Sequence, residues 1–241
     1  MTEAISVEVL DTAEAVSQRA ADLIAEEARK AVAARGRFVM AVSGGHTPWM
    51  MLSALAAVDV PWPSVHVVQV DERVAPDGHP DRNLSHLRES LLDHAPLAAD
   101  HIHAMPVDSA DLEAAPAQYA ATLRQIAGAP PVLDLVHLGL GPDGHTASLV
   151  PGDPVLNVND ADVAMAGTYQ GRRRMTLTYP ILNRARRVLF VVTGDEKVEM
   201  LNRLRNGDEG IPAGRVHRER ALVLADEAAA GQLVAKSKKG T

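Results

Sequence analysis

Five short, almost continuously apolar runs constrain the fold of this 241-residue chain more than any other feature of its sequence. Such runs are typical of strands that helices cover on both faces of a sheet. Segments with helical spacing of apolar residues separate the runs, and the alternation predicts an α/β fold, a doubly wound, mostly parallel sheet with helices on both faces. The predicted strands span residues 37–42, 65–70, 133–138, 188–192 and 221–224.

The predicted helices begin with an amphipathic segment that Asp11 or Thr12 caps and that Gly36 ends. Three shorter segments predict a small added sheet or flap region. No linker or internal repeat divides the sequence, so we expect one domain over residues 1–241, with a frayed tail at about 236–241. Further helices are predicted over residues 48–57, 83–93, 110–126 and 196–205, and the short segments are 101–105, 162–166 and 175–178.

Composition restricts the classes of function. The absence of cysteine excludes disulfides, thiolate metal sites and a cysteine nucleophile, and it favours a reducing compartment. The first thirty residues show no signal peptide or membrane span, so we expect a cytoplasmic protein without a membrane partner. A net charge of −7 and 3% aromatic residues argue against nucleic acid, whereas local cations can still bind a small anion. The oligomeric state stays open, and a monomer is compatible with the 46% hydrophobic content.

The loop after the first predicted strand is a candidate phosphate site, because ligands of open α/β sheets bind outside the carboxyl ends of the strands. Gly44 and Gly45 allow close approach of a ligand to the backbone, and Pro48 starts a helix whose first N–H groups are free. Ser43 and Thr47 add hydroxyl donors. The alternative is a tight turn that only connects a strand with a helix.

The loop after the second predicted strand begins with Asp71, Glu72 and Arg73, at the rim where a ligand would lie. The planar guanidinium of Arg73 suits a carboxylate or phosphate partner. A solvated turn is the alternative for this run of charges. Asn83 and Ser85, further along, are interpreted as caps of the next helix.

The glycine-rich loop after the third predicted strand contains Asp143 and His145. A histidine at a strand end, with an acid two residues away, suits general-base catalysis because imidazole titrates near neutral pH. His137 lies within the strand itself and is expected to pack or hydrogen-bond in the interior. Arg172–Arg174 and Lys197 supply cations near the same edge, with a solvated turn and a surface lysine as the alternatives.

Several other chemistries lack their sequence signatures. The chain has no GxSxG nucleophile elbow, no HExxH zinc helix and no GxxxxGK[ST] phosphate loop. His101 and His103 would share one face of a strand, but the spacing suggests no third ligand. We therefore expect no metal.

The loops described above follow one another as SGGHTP, VDER, NLSH, GLGPDGHTASLVPG, RRRMTLTYPILNRARRVLFVVTG and GDEK. In this order and spacing, over about residues 36–224, the chain resembles the 6-phosphogluconolactonase family, and GPDGHTASL and DER are the most specific parts. The resemblance implies an α/β fold related to glucosamine-6-phosphate deaminases and ribose-5-phosphate isomerases. It also implies hydrolysis of 6-phospho-D-glucono-1,5-lactone, the second step of the oxidative pentose phosphate pathway, without metal or organic cofactor.

The resemblance further implies roles for single residues. His145 matches the catalytic histidine, with Asp143 as a residue that could orient it, and Asp71 and Arg73 match positions that line the site. The triple arginine blurs the register of the family's arginine, for which Arg174 is preferred over Arg173. The residues implied to bind the phosphorylated substrate are Ser43, Gly44, Gly45, Thr47, Arg174 and Lys197.

Two other functions are alternatives. A sugar-phosphate isomerase or deaminase would resemble this chain in the same loops, but those relatives carry an acid five residues after the loop histidine, where this chain has Val150. They also usually carry a tyrosine at the position of Arg73. A sugar-phosphate sensor would normally have a helix-turn-helix domain before the sheet, and only one helix is predicted there.

Overall fold

The computed structural model describes residues 5–231, so the tail predicted at 236–241 lies outside the described residues. Within this range, seven strands form a parallel sheet in the order β1-β10-β9-β6-β2-β3-β5, and three form an antiparallel sheet in the order β4-β8-β7. In chain order, the strands are β1 (Ser6–Leu10), β2 (Phe38–Val42), β3 (Val65–Gln69), β4 (Asp71–Arg73), β5 (Ile102–His103), β6 (Leu135–Leu138), β7 (Val163–Tyr169), β8 (Arg172–Leu177), β9 (Val188–Val192) and β10 (Ala221–Asp226).

The predicted α/β sheet is confirmed, and helices cover both of its faces. Phe38 and Met40 of β2 belong to one core, whereas Val39 and Ala41 belong to the other, as alternation along a strand requires. Thr12 caps the first helix through a 3.2 Å bond from the Ala15 amide, as predicted. The helices are α1 (Ala13–Arg35), α2 (His46–Ala56), α3 (Asn83–Leu87), α4 (Ala115–Ala127), α5 (Tyr179–Arg184), α6 (Val198–Arg205) and α7 (Glu227–Ala230).

The small antiparallel sheet contains two of the three segments that we predicted for it. Residues 162–166 and 175–178 fall largely in β7 and β8. The assignment of residues 101–105 to this region was wrong, because β5 pairs in parallel with β3 and extends the main sheet. Strand β5 pairs with β3 only at Ile102, opposite Val67, and at His103, opposite Val68. Two residues are too few to show a recognisable strand pattern in the sequence.

The chain crosses from the large sheet to the small one at Val70. The Val70 amide donates to the Val42 carbonyl at 3.0 Å, and the Val70 carbonyl accepts from the Leu177 amide at 2.8 Å. The next three residues form β4, which pairs with β8 so that Asp71 faces Thr176. The segment interpreted as a rim loop is therefore a strand, and it lies directly at the carboxyl end of β3.

Residues 5–231 contain neither a membrane-spanning helix nor a cluster of metal-ligating side chains. No helix among them has the length and apolar character that a membrane span needs. The same residues contain no group of three or more histidine, aspartate or glutamate side chains arranged to hold a metal ion.

Candidate active site

A cleft of about 490 Å³ opens where β2, β3, β6 and β9 end, at the carboxyl edge of the large sheet. The first-loop residues, the DER strand, the glycine-rich loop and the later cations all contribute to its walls. Asp143 is the one predicted site residue that does not line the cleft, and it contacts His145. The predicted residues that line the cleft are Ser43, Gly44, Gly45, Thr47, Asp71, Arg73, His145, Arg174 and Lys197.

His145 and Asp143 form a close pair at this cleft. Asp143 Oδ1 lies 2.5 Å from His145 Nδ1 and accepts from the His145 amide at 3.1 Å. A proton on Nδ1 satisfies this contact, which leaves Nε2 as the basic nitrogen. Burial raises the pKa of Asp143, but the amide and imidazole of His145 together hold it below its ordinary value. The imidazole itself remains 21% exposed, so a ligand can reach it.

The glycines of this loop allow the imidazole its position. A Cβ on Gly141 would lie 2.0 Å from His145 Nδ1, and a Cβ on Gly144 would lie 2.6 Å from Ile211 Cβ. Gly144 also has φ +82°, a left-handed conformation that favours glycine. The loop closes through a 2.8 Å hydrogen bond from the Gly141 amide to the His145 carbonyl. The GxxGH spacing therefore has a steric cause.

Asp71 and Arg174 lie side by side on paired strands, and both are buried. Asp71 Oδ2 accepts from Ser148 Oγ at 2.6 Å and lies 3.9 Å from Arg174 Nη1. Burial raises the pKa of Asp71 against the opposing effect of Ser148, and burial lowers the pKa of Arg174. The two groups thus sit in a poorly solvated wall where a ligand's charge would be weakly screened.

The three consecutive arginines face different partners. Arg174 is 5% exposed and lines the cleft. Arg173, on the opposite face of β8, is exposed and pairs with Glu113 at 3.1 Å, while Arg172 pairs with Asp81. The preference for Arg174 over Arg173 as the cleft residue agrees with this geometry.

The first loop meets the cleft through backbone and hydroxyl groups. Ser43 Oγ donates to the His137 carbonyl at 3.1 Å, and Thr47 Oγ1 lies 2.6 Å from Thr193 Oγ1. A Cβ on Gly44 would lie 2.0 Å from Asn83 Oδ1, so any side chain there would displace the buried side chain of Asn83. His137 is fully buried, accepts from the Ser43 amide, and has its pKa lowered to about 3 by burial, which confirms its interior position.

Lys197 closes another side of the cleft. It ends a short turn, Asp195–Lys197, that follows Gly194, and its Nζ lies 3.5 Å from Glu196 Oε1. The Asp226 carboxylate holds the Gly194 amide at 3.1 Å, which fixes the start of this turn. Lys197 is therefore a partly buried cation at the cleft.

Sequence reasoning missed or misassigned several residues of the site. Asn83 does not cap α3, because its Nδ2 donates to the Asp71 carbonyl at 3.0 Å, and Ser85 Oγ donates to the His79 carbonyl. Ser148 and Tyr169 were missed because their contacts with Asp71 and Asp143 join distant parts of the chain. Thr193 follows β9 directly, so the rule that ligands bind at strand ends would have found it.

The fold and the cleft define an α/β protein with a cationic cleft at the carboxyl ends of its parallel strands, where such sheets bind small ligands. The chain belongs to the family described as "Glucosamine-6-phosphate isomerases/6-phosphogluconolactonase", whose sequence model matches residues 11–224. The 6-phosphogluconolactonase of Synechocystis sp. is 40% identical over 82% of this chain and 84% of its own length. The human 6-phosphogluconolactonase is 33% identical over 97% of this chain and 95% of its own length.

Solved structures give the same fold. The crystal structure of 6-phosphogluconolactonase from Thermotoga maritima has a TM-score of 0.82 and 26% identity, over 92% of this chain and 98% of that one. A monomeric glucosamine-6-phosphate deaminase has a TM-score of 0.83 at 19% identity, over 94% of this chain and 99% of that one. At that identity the deaminase indicates the shared fold alone.

Proposed function

We propose that this chain hydrolyses 6-phospho-D-glucono-1,5-lactone to 6-phosphogluconate, the second step of the oxidative pentose phosphate pathway. The observation that carries the proposal is the 2.5 Å contact between Asp143 Oδ1 and His145 Nδ1 at a cleft with three cationic side chains. Relatives named 6-phosphogluconolactonase, at 33% to 40% identity over most of their length, support the same reaction.

His145 serves as the general base. Its Nε2 takes a proton from water while the water oxygen forms a bond to C1 of the lactone and the carbonyl electron pair moves onto the carbonyl oxygen. Asp143 stabilises the imidazolium that results. The tetrahedral intermediate then re-forms its carbonyl, the bond from C1 to the ring oxygen breaks, and the imidazolium returns the proton to that oxygen. A lactone is an activated ester, so these groups suffice for the chemistry.

The cations of the cleft bind charge on the substrate. Arg73, whose Nη1 donates to the Asp81 carbonyl at 2.8 Å, is held at the cleft and stabilises the developing oxyanion together with backbone amides of the glycine-rich loop. Arg174, Lys197 and the first loop hold the phosphate. Anchoring the phosphate orients C1 over His145, and this orientation raises the rate of attack.

The partner of this site is a small phosphorylated sugar lactone. The acidic net charge of −7 disfavours nucleic acid as a second partner. The cysteine-free composition suits a reducing compartment, and we infer that the enzyme works in the cytoplasm.

The direct test is a lactonase assay on freshly generated lactone, corrected for spontaneous hydrolysis. Replacement His145→Ala is expected to lower kcat by about 10²-fold to 10⁴-fold, the usual contribution of a positioned general base. His217→Ala, which changes an exposed histidine outside the cleft, is the matched control and is expected to keep the wild-type rate. Wild-type turnover in His145→Ala would exclude His145 as the base, and an inactive wild-type enzyme would exclude the reaction.

A further inference from the structure

Tyr169 contacts both members of the histidine–aspartate pair from a different part of the chain. It is the last residue of β7, before a tight turn in which Gln170 and Gly171 have φ of 52° and 78°. Its hydroxyl donates to Asp143 Oδ2 at 3.3 Å. Its ring meets the His145 imidazole edge to face, with 5.2 Å between ring centroids and 64° between planes.

Tyr169 also contacts the buried cation of the cleft. The Arg174 guanidinium carbon lies 5.1 Å from the centroid of the Tyr169 ring. The Tyr169 carbonyl accepts from Arg174 Nε and Nη2 at 3.4 and 3.3 Å, and Gln170 Oε1 accepts from Nη2 at 3.3 Å. The end of this hairpin therefore touches the base on one side and the proposed phosphate anchor on the other.

We propose that Tyr169 is a positioning residue for the lactonase reaction, which orients the Asp143 carboxylate toward His145 and joins this pair to Arg174. The proposal rests on the function proposed above. In this role the Tyr169 hydroxyl acts on the His145–Asp143 pair, and the Tyr169 ring and backbone carbonyl hold Arg174.

The hydroxyl has a defined geometric effect. The terminal torsion angle of an aspartate side chain has a broad distribution, so a carboxylate that is hydrogen-bonded through one oxygen can still rotate. In Asp143, Oδ1 receives the imidazole and amide of His145, and Oδ2 receives the Tyr169 hydroxyl. Fixing both oxygens keeps the carboxylate plane aligned with Nδ1 and keeps Nε2 directed at the water.

The hydroxyl also has an electrostatic effect. A donor on Oδ2 withdraws negative charge from the carboxylate, and its removal would favour the imidazolium form of His145. The titratable and charged groups around the imidazole are Asp143 in its own loop, Tyr169 on β7 and, beyond the ring, Arg174 on β8. Loss of the hydroxyl is thus expected to move the acid limb of the kcat/KM profile toward higher pH.

Tyr169→Phe tests the hydroxyl while it keeps the ring and the backbone contacts with Arg174. Because a 3.3 Å bond is long for a hydroxyl donor, we expect a moderate loss, about 3-fold to 15-fold in kcat with little change in KM. Tyr169→Leu also removes the ring from Arg174, so KM is expected to rise in addition. In an Asp143→Ala background, Tyr169→Phe is expected to have no further effect on kcat, because the hydroxyl has lost its acceptor.

Tyr179→Phe is the matched control, because the Tyr179 hydroxyl donates to the Pro212 carbonyl at 2.9 Å and not to Asp143. It is expected to leave kcat and the pH profile unchanged. An NMR titration of His145 in Tyr169→Phe requires no enzymatic activity. If the wild type proves inactive, the proposed function is rejected, and the contact of Tyr169 with the His145–Asp143 pair is still tested by NMR. An unchanged His145 titration and kcat in Tyr169→Phe, or an equal change in Tyr179→Phe, would overturn the proposal.

Discussion

Glu72 is fully buried between two residues of the candidate site, yet it points away from the cleft. Alternation along β4 sends Asp71 and Arg73 to one face of the strand and Glu72 to the other. Its carboxylate accepts from the Asn83 and Leu84 amides at 2.7 and 2.9 Å, and it lies 3.1 Å from Arg82 Nε. Glu72 thus caps α3 from a strand, and its position in the sequence does not distinguish this role from the ligand-facing roles of Asp71 and Arg73.

Glu72→Gln is expected to destabilise the protein strongly. The amide group of glutamine turns donors toward amides that need an acceptor, and it leaves the buried Arg82 without its counter-ion. Breaking a buried ion pair in this way typically costs about 3 to 5 kcal/mol. The measurement is urea unfolding, with Glu113→Gln, at the exposed pair with Arg173, as a control expected to change stability by less than about 1 kcal/mol. Similar losses in the two variants would contradict this role.

At the scale of elements, the central strands were predictable because burial on both faces leaves a continuous apolar run in the sequence. The edge strand β1 was not predicted, since all five of its residues are exposed or half-buried and it lacks the apolar run of the central strands. Strand β4 consists of three charged residues and was interpreted as a loop, because its pairing with β8 depends on a segment about a hundred residues away. Short edge strands take their identity from their partners.

Three histidines, His66, His101 and His103, lie close together where β3 pairs with the edge strand β5. His66 Nδ1 lies 3.1 Å from His103 Nε2, and the rings of His66 and His101 have centroids 4.1 Å apart. Burial, together with the other two imidazoles and Arg37, lowers the pKa of His66 to about 4, against the opposing effect of Asp100, and burial also lowers the pKa of His103. His66 and His103 are therefore harder to protonate in the folded chain than in the unfolded chain.

The consequence for stability follows from the sign of these shifts. Above about pH 6.5 His66 and His103 are neutral in both the folded and the unfolded chain, and as the pH falls toward 4 these two residues take up protons in the unfolded chain that the folded chain excludes. Stability is therefore lost across this window. His66→Gln is expected to lose less stability than the wild type between pH 7 and pH 4.5, measured by thermal or urea unfolding. The exposed His94→Gln is the control, and equal pH dependence in all three proteins would refute this account.

At the scale of the whole molecule, topology gathers groups that the sequence keeps apart. Thr47 and Thr193 are 146 residues apart and their hydroxyls meet at 2.6 Å, and Tyr169 reaches Asp143 across 26 residues. The rule of strand ends identified the loops, so Asp71, His145 and the first-loop residues could be predicted. The contacts between loops could not, because they depend on the order of strands and on the path of the β7–β8 hairpin.

The same topology makes a cationic cleft in an acidic protein. Arg73, Arg174 and Lys197 come from three separate segments and meet at one edge of the sheet. Charges on the far side of the molecule are screened over about 10 Å, so the nearby cations determine what the cleft attracts. A phosphate anchor is therefore compatible with the net charge of −7.

If Arg174 and Lys197 hold the phosphate, Arg174→Gln or Lys197→Gln each removes a charge-assisted contact. The loss of about 1.5 to 3 kcal/mol in transition-state binding corresponds to roughly 10-fold to 150-fold in kcat/KM. Because the phosphate orients C1, part of the loss is expected in kcat as well as in KM. Arg173→Gln, at the exposed pair with Glu113, is the matched control and is expected to keep the wild-type value.

The decisive comparison is with glucono-1,5-lactone, which lacks the phosphate. This substrate is expected to react poorly with the wild type and to be nearly indifferent to either substitution, because the removed cations have no phosphate to bind. Arg174 also lies 3.9 Å from the Asp71 carboxylate, so Arg174→Gln also removes a positive charge beside a residue near the reacting atoms. A loss caused in this way would reduce the hydrolysis of both lactones equally, and such a result would exclude Arg174 as a phosphate-binding residue. Lys197 is judged separately, by comparing the loss in kcat/KM that Lys197→Gln causes with each of the two lactones.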